Sequence, residues 1–447
     1  MRMGAVFTAF SLFAFASPFD AVVFAEEQSE QTEMQISASV KPSPKKARKR
    51  SATAKQQRGG VLPKHLEMAV LIDAQMRSLE AQYRATSARY VTADSITPGS
   101  PYFSALQRNN TGGNLRNFNE TELEAGMPLW LPGQRDAYAA TVTTGLAEVE
   151  ERLALRRLGV AGALRDAWWN AQRAAREVAV ARNRVATARD IGADMTRRVE
   201  LGDASQSDAL LAENETLAAE TELAQSEGAV KVARVNYMAL TGGAPPDGRL
   251  ESVRPALKNV EDHPSLRAPY AALVRAQAQA ELVDATPIDS PEIGIFGRQE
   301  HNRQYSTDPS QQISDQRTDS TTIGVRIRIP LPTPGRNEPR RAAALAEMDR
   351  ATAEYERAKR VVLAEIKAAR EMLAATQRAA KLANSRLVVA NDQFELARKA
   401  FKLGELGALD LYRVRQIQLE AQRVEANAQV NVGVAISRLN QAYGNAP

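Results

Sequence analysis

The sequence predicts a mainly α-helical protein with a small β part, built as two copies of one unit. Three observations carry this: a repeat at a shift of 202 residues, helical stretches longer than a globular domain holds, and short alternating segments between them. In the repeat, Pro128-Leu129 and Pro132-Gly133 return as Pro330-Leu331 and Pro334-Gly335, and Leu201-Gly202-Asp203 returns as Leu403-Gly404-Glu405. Asp208 matches Asp410 and Gly242 matches Gly444. Several matches at one offset mark a duplicated unit.

Composition fits thin helix–helix seams better than a thick core. Of 447 residues, 44% are hydrophobic but only 5% aromatic, so the apolar mass is small and aliphatic. The absence of cysteine excludes disulfides, thiolate metal ligation, a cysteine nucleophile and lipidation at Cys. The only histidines, His65, His263 and His301, are scattered, so neither a metal site nor a cofactor is expected. The net charge is +5, of which residues 1–58 supply nine basic less five acidic groups, or +4. The remaining chain is nearly neutral and gives no case for nucleic acid.

In chain order, Arg2, the apolar run from Ala5 to Phe15 and the small-x-small site Val23-Phe24-Ala25 predict a signal peptide over 1–25. Residues 26–60 read as a disordered extension carrying the basic run Lys45-Lys46-Ala47-Arg48-Lys49-Arg50. No later stretch reaches the roughly 18 apolar residues of a membrane helix, so a membrane-embedded mature chain must use strands. The repeats follow at 61–245 and 263–444, joined by a linker over 246–262. Each contains a helix, two strands, a long helix and a shorter helix. The long helices are predicted over 134–200 and 336–402, and the helices after them over 205–240 and 408–443.

The second long helix carries a 4-3-4-3 seam: Val362, Ile366, Ala369, Leu373, Thr376, Ala380, Ala383, Leu387, Ala390, Phe394, Ala397 and Phe401. That spacing is coiled-coil packing. Helices near 263–285 and 62–87, added to 205–240 and 408–443 respectively, each match one long helix in length. Two stacked short helices are therefore expected beside each long one, making two antiparallel hairpins.

Period-two alternation marks the strands. Ile323, Val325, Ile327 and Ile329 oppose Gly324, Arg326 and Arg328; Glu120, Glu122 and Glu124 oppose Leu123, Ala125 and Met127. Glu292–Arg298 alternates less cleanly, and a partner near Tyr102–Arg108 is faint. One apolar and one charged face fits either a sheet on a soluble core or a membrane barrel. Four strands cannot close a barrel, for which about eight are needed, so the membrane reading requires chains to pool strands.

Over about 60–444 the chain resembles the TolC family of outer-membrane efflux proteins. The resemblance rests on the duplication, the element order and two motif copies, Val199–Leu211 and Leu403–Leu411. It implies a homotrimer in a Gram-negative outer membrane, with a shared twelve-stranded β-barrel in lipid and a periplasmic α-barrel. Function would be passive export of small molecules or metal ions, delivered by an inner-membrane pump of the RND type through a periplasmic adaptor (membrane fusion) protein. The adaptor would dock at the tip turns, Leu201, Gly202, Asp203, Ala204 and Ser205, with Leu403, Gly404, Glu405, Leu406 and Gly407. Asp410 matches the first acidic constriction residue of some members, but the second position holds Arg413; with Asp208 these form the expected constriction, Asp410 and Arg413 as a salt-bridged closed tip or an ordinary solvated pair. Glu120, Glu122, Glu124, Arg326 and Arg328 would face the barrel lumen.

The alternative is a periplasmic coiled-coil adaptor or scaffold without a barrel, which two hairpins and four strands fit poorly. No phosphate-cradling loop, nucleophile elbow or metal cluster points to an enzyme.

Overall fold

The computed structural model describes residues 60–110, 116–304 and 316–446, so the expected signal peptide and basic run lie outside the described residues. Helices α1 (Leu62–Ile72), α2 (Ala74–Ala88) and α3 (Tyr90–Asp94) come first. The helix expected over 62–87 is thus broken, and the break is at Asp73. Its carboxylate accepts from the Met76 N–H at 2.8 Å and pairs with Arg156 at 2.6 Å, which holds its backbone extended. Strands β1 (Tyr102–Asn109) and β2 (Arg116–Pro128) lead into α4 (Gln134–Leu201) and α5 (Gln206–Thr241). A 3-10 turn at Val260–Asp262 and α6 (Pro264–Asp284) open the second half. Then follow β3 (Glu292–Gln304), β4 (Gln316–Arg328), α7 (Pro334–Lys402) and α8 (Ala408–Ala442). At 1.5 Å per residue, α4 and α7 are each about 100 Å long.

The duplication is visible in backbone conformation. Gly202 and Gly404 have φ of 81° and 79°, and Gly242 and Gly444 both have 70°. Each closes its helix with a six-to-one hydrogen bond: Asp203 to Arg198 (2.8 Å), Glu405 to Ala400 (3.0 Å), Gly243 to Met238 (2.9 Å) and Asn445 to Asn440 (3.0 Å). This Schellman ending needs a left-handed residue, which costs other L-residues about 1–2 kcal/mol.

All twelve seam residues of α7 are buried or half-buried. Between Val362 and Phe401 the remaining positions are exposed, apart from Asn391, Arg398 and Ala400. The stacking of short helices differs from expectation. α5 continues into α1, with the Tyr237 hydroxyl 2.7 Å from His65 Nδ1 and Gly242 against Ile72. α8 continues into α6, with Gly444 against the His263 ring. The expected partners are therefore exchanged, because the summed lengths are nearly equal either way and could not choose between them.

A central core joins Leu62, Leu66, Trp168, Tyr237 and Leu250, all at most 2% exposed. Burying each such side chain stabilises by about 1.5–3 kcal/mol. Next to it α4 meets α8: Trp169 donates to Ser437 Oγ at 2.8 Å and its ring lies on Gly433. A Cβ there would sit 1.9 Å from the ring, so only glycine permits this approach. The four strands form one antiparallel sheet in the order β1-β2-β3-β4, leaving β1 and β4 as its edges.

Candidate functional site

The sheet is inside out compared with one resting on a soluble core. Register places Ala125 opposite Ile295 and Ile295 opposite Val325, while Leu123 and Ile323 flank Gly297. On this face Phe103, Leu123, Ile295, Ile323, Val325 and Ile327 are 48% to 80% exposed. On the other face Glu120, Glu122 and Glu124 are only 2% to 6% exposed. A band of bare aliphatic side chains over charged positions is the pattern of a wall between lipid and water.

The charged face is a ladder of shared ion pairs. Arg298 of β3 reaches Glu120 at 2.9 Å and Glu122 at 2.7 Å. Arg326 of β4 bridges Glu122 and Glu124 across β3. Arg108 lies 3.6 Å from Glu120, and Arg328 pairs with Glu292 at 3.2 Å. Glycines make room between them: a Cβ on Gly324 would meet the Phe296 ring at 2.6 Å, and one on Gly126 would meet Tyr102 at 2.6 Å. The Phe296 ring in turn lies under the Arg326 guanidinium, 5.0 Å from its centroid. Sequence reasoning missed Arg298, the busiest member, because Phe296 and Gly294 on the same face blurred the alternation of β3.

The second region is the pair of turns ending α4 and α7. Leu201 and Leu403, which precede the left-handed glycines, stand out 70% and 75% exposed. Ala204 and Leu406 turn inward onto a core of Ile191, Met195, Phe394, Phe401 and Leu411. Arg198 ties the turns together, donating to the Phe401 carbonyl at 2.8 Å with its guanidinium 4.3 Å from the Phe401 centroid. Ser205 caps α5 through the Asp208 N–H (3.2 Å), and Asp208 accepts from the Ser205 N–H (3.3 Å), a reciprocal capping box. Gly407, its counterpart before α8, has no side chain to cap with.

Asp208 is thereby engaged within its own helix start. Asp410 pairs with Arg413 at 3.1 Å, one turn along the same helix, with side chains 54% and 69% exposed. Among the described residues no cluster of metal-ligating side chains occurs, and no helix is long and apolar enough to cross a membrane.

Residues 258–445 match the family model described as outer membrane efflux protein. The fold is that of solved outer-membrane channels. The outer membrane protein VceC of Vibrio cholerae superposes with a TM-score of 0.67 at 17% identity, covering 86% of this chain and 96% of that one. The CmeC channel of Campylobacter jejuni gives 0.65 at 15% identity, with 86% and 85% covered. The open state of the MtrE channel of Neisseria gonorrhoeae gives 0.65 at 16% identity, with 86% and 89% covered. No curated protein sequence matches.

Proposed function

We propose that this chain belongs to the outer membrane efflux protein family, whose model matches residues 258–445, and is the outer-membrane exit duct of a tripartite efflux system. In this reading three copies pool four strands each, β4 of one pairing with β1 of the next, into a twelve-stranded barrel in the outer membrane. The long helices form a periplasmic tunnel. Small molecules or metal ions pass outward without chemistry by this chain, delivered by an inner-membrane pump and a periplasmic adaptor.

The observation that carries the reading is the inside-out sheet with two open edges. In water, exposed strand edges and a bare aliphatic face both favour aggregation. A closed ring in lipid removes both problems, since every backbone group is paired and the apolar face meets acyl chains. The adaptor is assigned to the turns Leu201–Ser205 and Leu403–Gly407, where paired exposed leucines offer a repeated apolar contact. Asp410 and Arg413 are assigned to the tunnel's narrow end, where a charge-assisted contact can hold and release.

Native mass of the detergent-extracted protein from separated outer membranes tests the reading. A species near three mature chains in that fraction is expected; a soluble monomer or dimer in the periplasm rejects the barrel. Charges on the lumen face nearly cancel, so bilayer recordings are expected to show weak ion selectivity. Glu122→Gln leaves Arg298 and Arg326 without their shared carboxylate and shifts the reversal potential towards anions. An unchanged reversal potential would place these residues away from the conducting path.

A further inference from the structure

Two of the three histidines sit at equivalent places, the joints where one short helix continues into another. They are held differently. His65 Nδ1 faces the Tyr237 hydroxyl, a group that can donate or accept. His263 is the N-cap of α6, and its Nδ1 accepts from the Ser265 N–H at 3.1 Å. A backbone N–H can only donate, so this cap exists only while Nδ1 is bare. Nε2 then carries the ring proton; it is buried beneath Gly444, near the Ala442 carbonyl, with no well-formed hydrogen bond.

We propose that the joint between α8 and α6 is a proton-operated hinge, in which uptake of a proton at His263 Nδ1 uncaps α6 and loosens its seat against Gly444. The added charge also falls at the positive end of the α6 dipole, where a cation is disfavoured. Around the ring, Glu261 and Asp262 lie on the preceding turn, and Lys367, Arg370 and Glu371 of α7 line a cavity of about 450 Å³ shared with His263 and Tyr443. The two bases oppose a charged ring and the acids favour it; the lost cap and burial decide against it. Burial holds the ring's pKa below its ordinary 6.5. Between those values the opened joint binds more protons than the closed one, so closure weakens as pH falls below about 6.5. α6 leads from this joint to β3 and α8 reaches it from the tip turns, so the hinge lies beside the middle of α7, which passes it unbroken.

Hydrogen exchange of the full-length protein in detergent, at pH 7.5 to 5.0, tests this on peptides covering 262–270 and 439–446. The comparison is with His263→Asn, which caps without titrating in this range. At each pH the intrinsic exchange chemistry is common to both proteins and cancels. The wild-type opening constant is expected to rise relative to H263N by up to about tenfold per pH unit. Equal behaviour of the two proteins overturns the proposal. If H263N does not assemble, His263→Ser replaces it, and wild-type protection that stays flat across the range overturns the proposal alone.

Discussion

The two long helices are copies of each other, yet one is a core element and the other a flank. α4 buries 18 of its 68 residues, while α7 buries 7 of 69. α5 and α1–α3 cover one side of α4, and α6 and α8 cover the other; α7 packs chiefly on α6 and α8. Its open side carries Leu382, Val389 and Leu396, each at least 66% exposed. The same heptad logic therefore ends in different environments. The first copy is coated within the chain, and the second is left bare on one side.

Truncation separates the two helices most sharply. Trp168→Ala, at a site 1% exposed, is expected to cost about 3–5 kcal/mol in denaturant unfolding. Leu396→Ala, on the open side of α7, is expected to stay within about 0.5 kcal/mol for a single chain. Combined with Val389→Ala it lowers the temperature at which the assembled form dissociates. An assembly that tolerates the pair unchanged breaks the comparison, because the open side of α7 is then no subunit contact.

The turns after the two helices give smaller effects. Gly202→Ala and Gly404→Ala are expected to lose about 1–2 kcal/mol each, and equally, since both glycines are left-handed. Unequal losses would mean the copies differ in strain beyond their matching φ. Ser205→Ala follows at about 1 kcal/mol from the lost cap, whereas Gly407→Ser gains a few tenths. Smallest is Arg413→Ala, worth only a few tenths of a kcal/mol to the exposed pair with Asp410. Its informative readout is closed-channel conductance, and an unchanged conductance removes Arg413 from any closing role.

Legibility followed the physics of each element. The α7 seam could be read because that helix packs on one side, so a single stripe from Val362 to Phe401 carries the burial. α4 is covered on more than one side around its middle, where Leu158, Val160, Ala161, Leu164, Arg165 and Trp168 spread around the helix. Only further on do Val178, Ala181, Val185, Ala188 and Met195 follow one stripe. The glycine turns were readable because Gly202 and Gly404 serve one backbone conformation. The charged faces of β2 and β4 were readable from alternation, but Arg298 was hidden behind Phe296. Leu106, which shares a face with Glu122, similarly blurred β1. The stacking of α5 on α1 and of α8 on α6 had no local signal, since it depends on contacts such as Tyr237 with His65 that are distant in sequence.

The inside-out sheet carries a consequence for biogenesis. In the proposed assembly, a copy that has not yet met its partners presents water with an apolar face and two unpaired edges, and it can cure neither alone. On that reading a lone copy stays prone to aggregation until partners and lipid arrive together. Yield of the assembled form should fall faster than expression when synthesis is throttled, because the proposed duct requires three copies at one place within the lifetime of the exposed state.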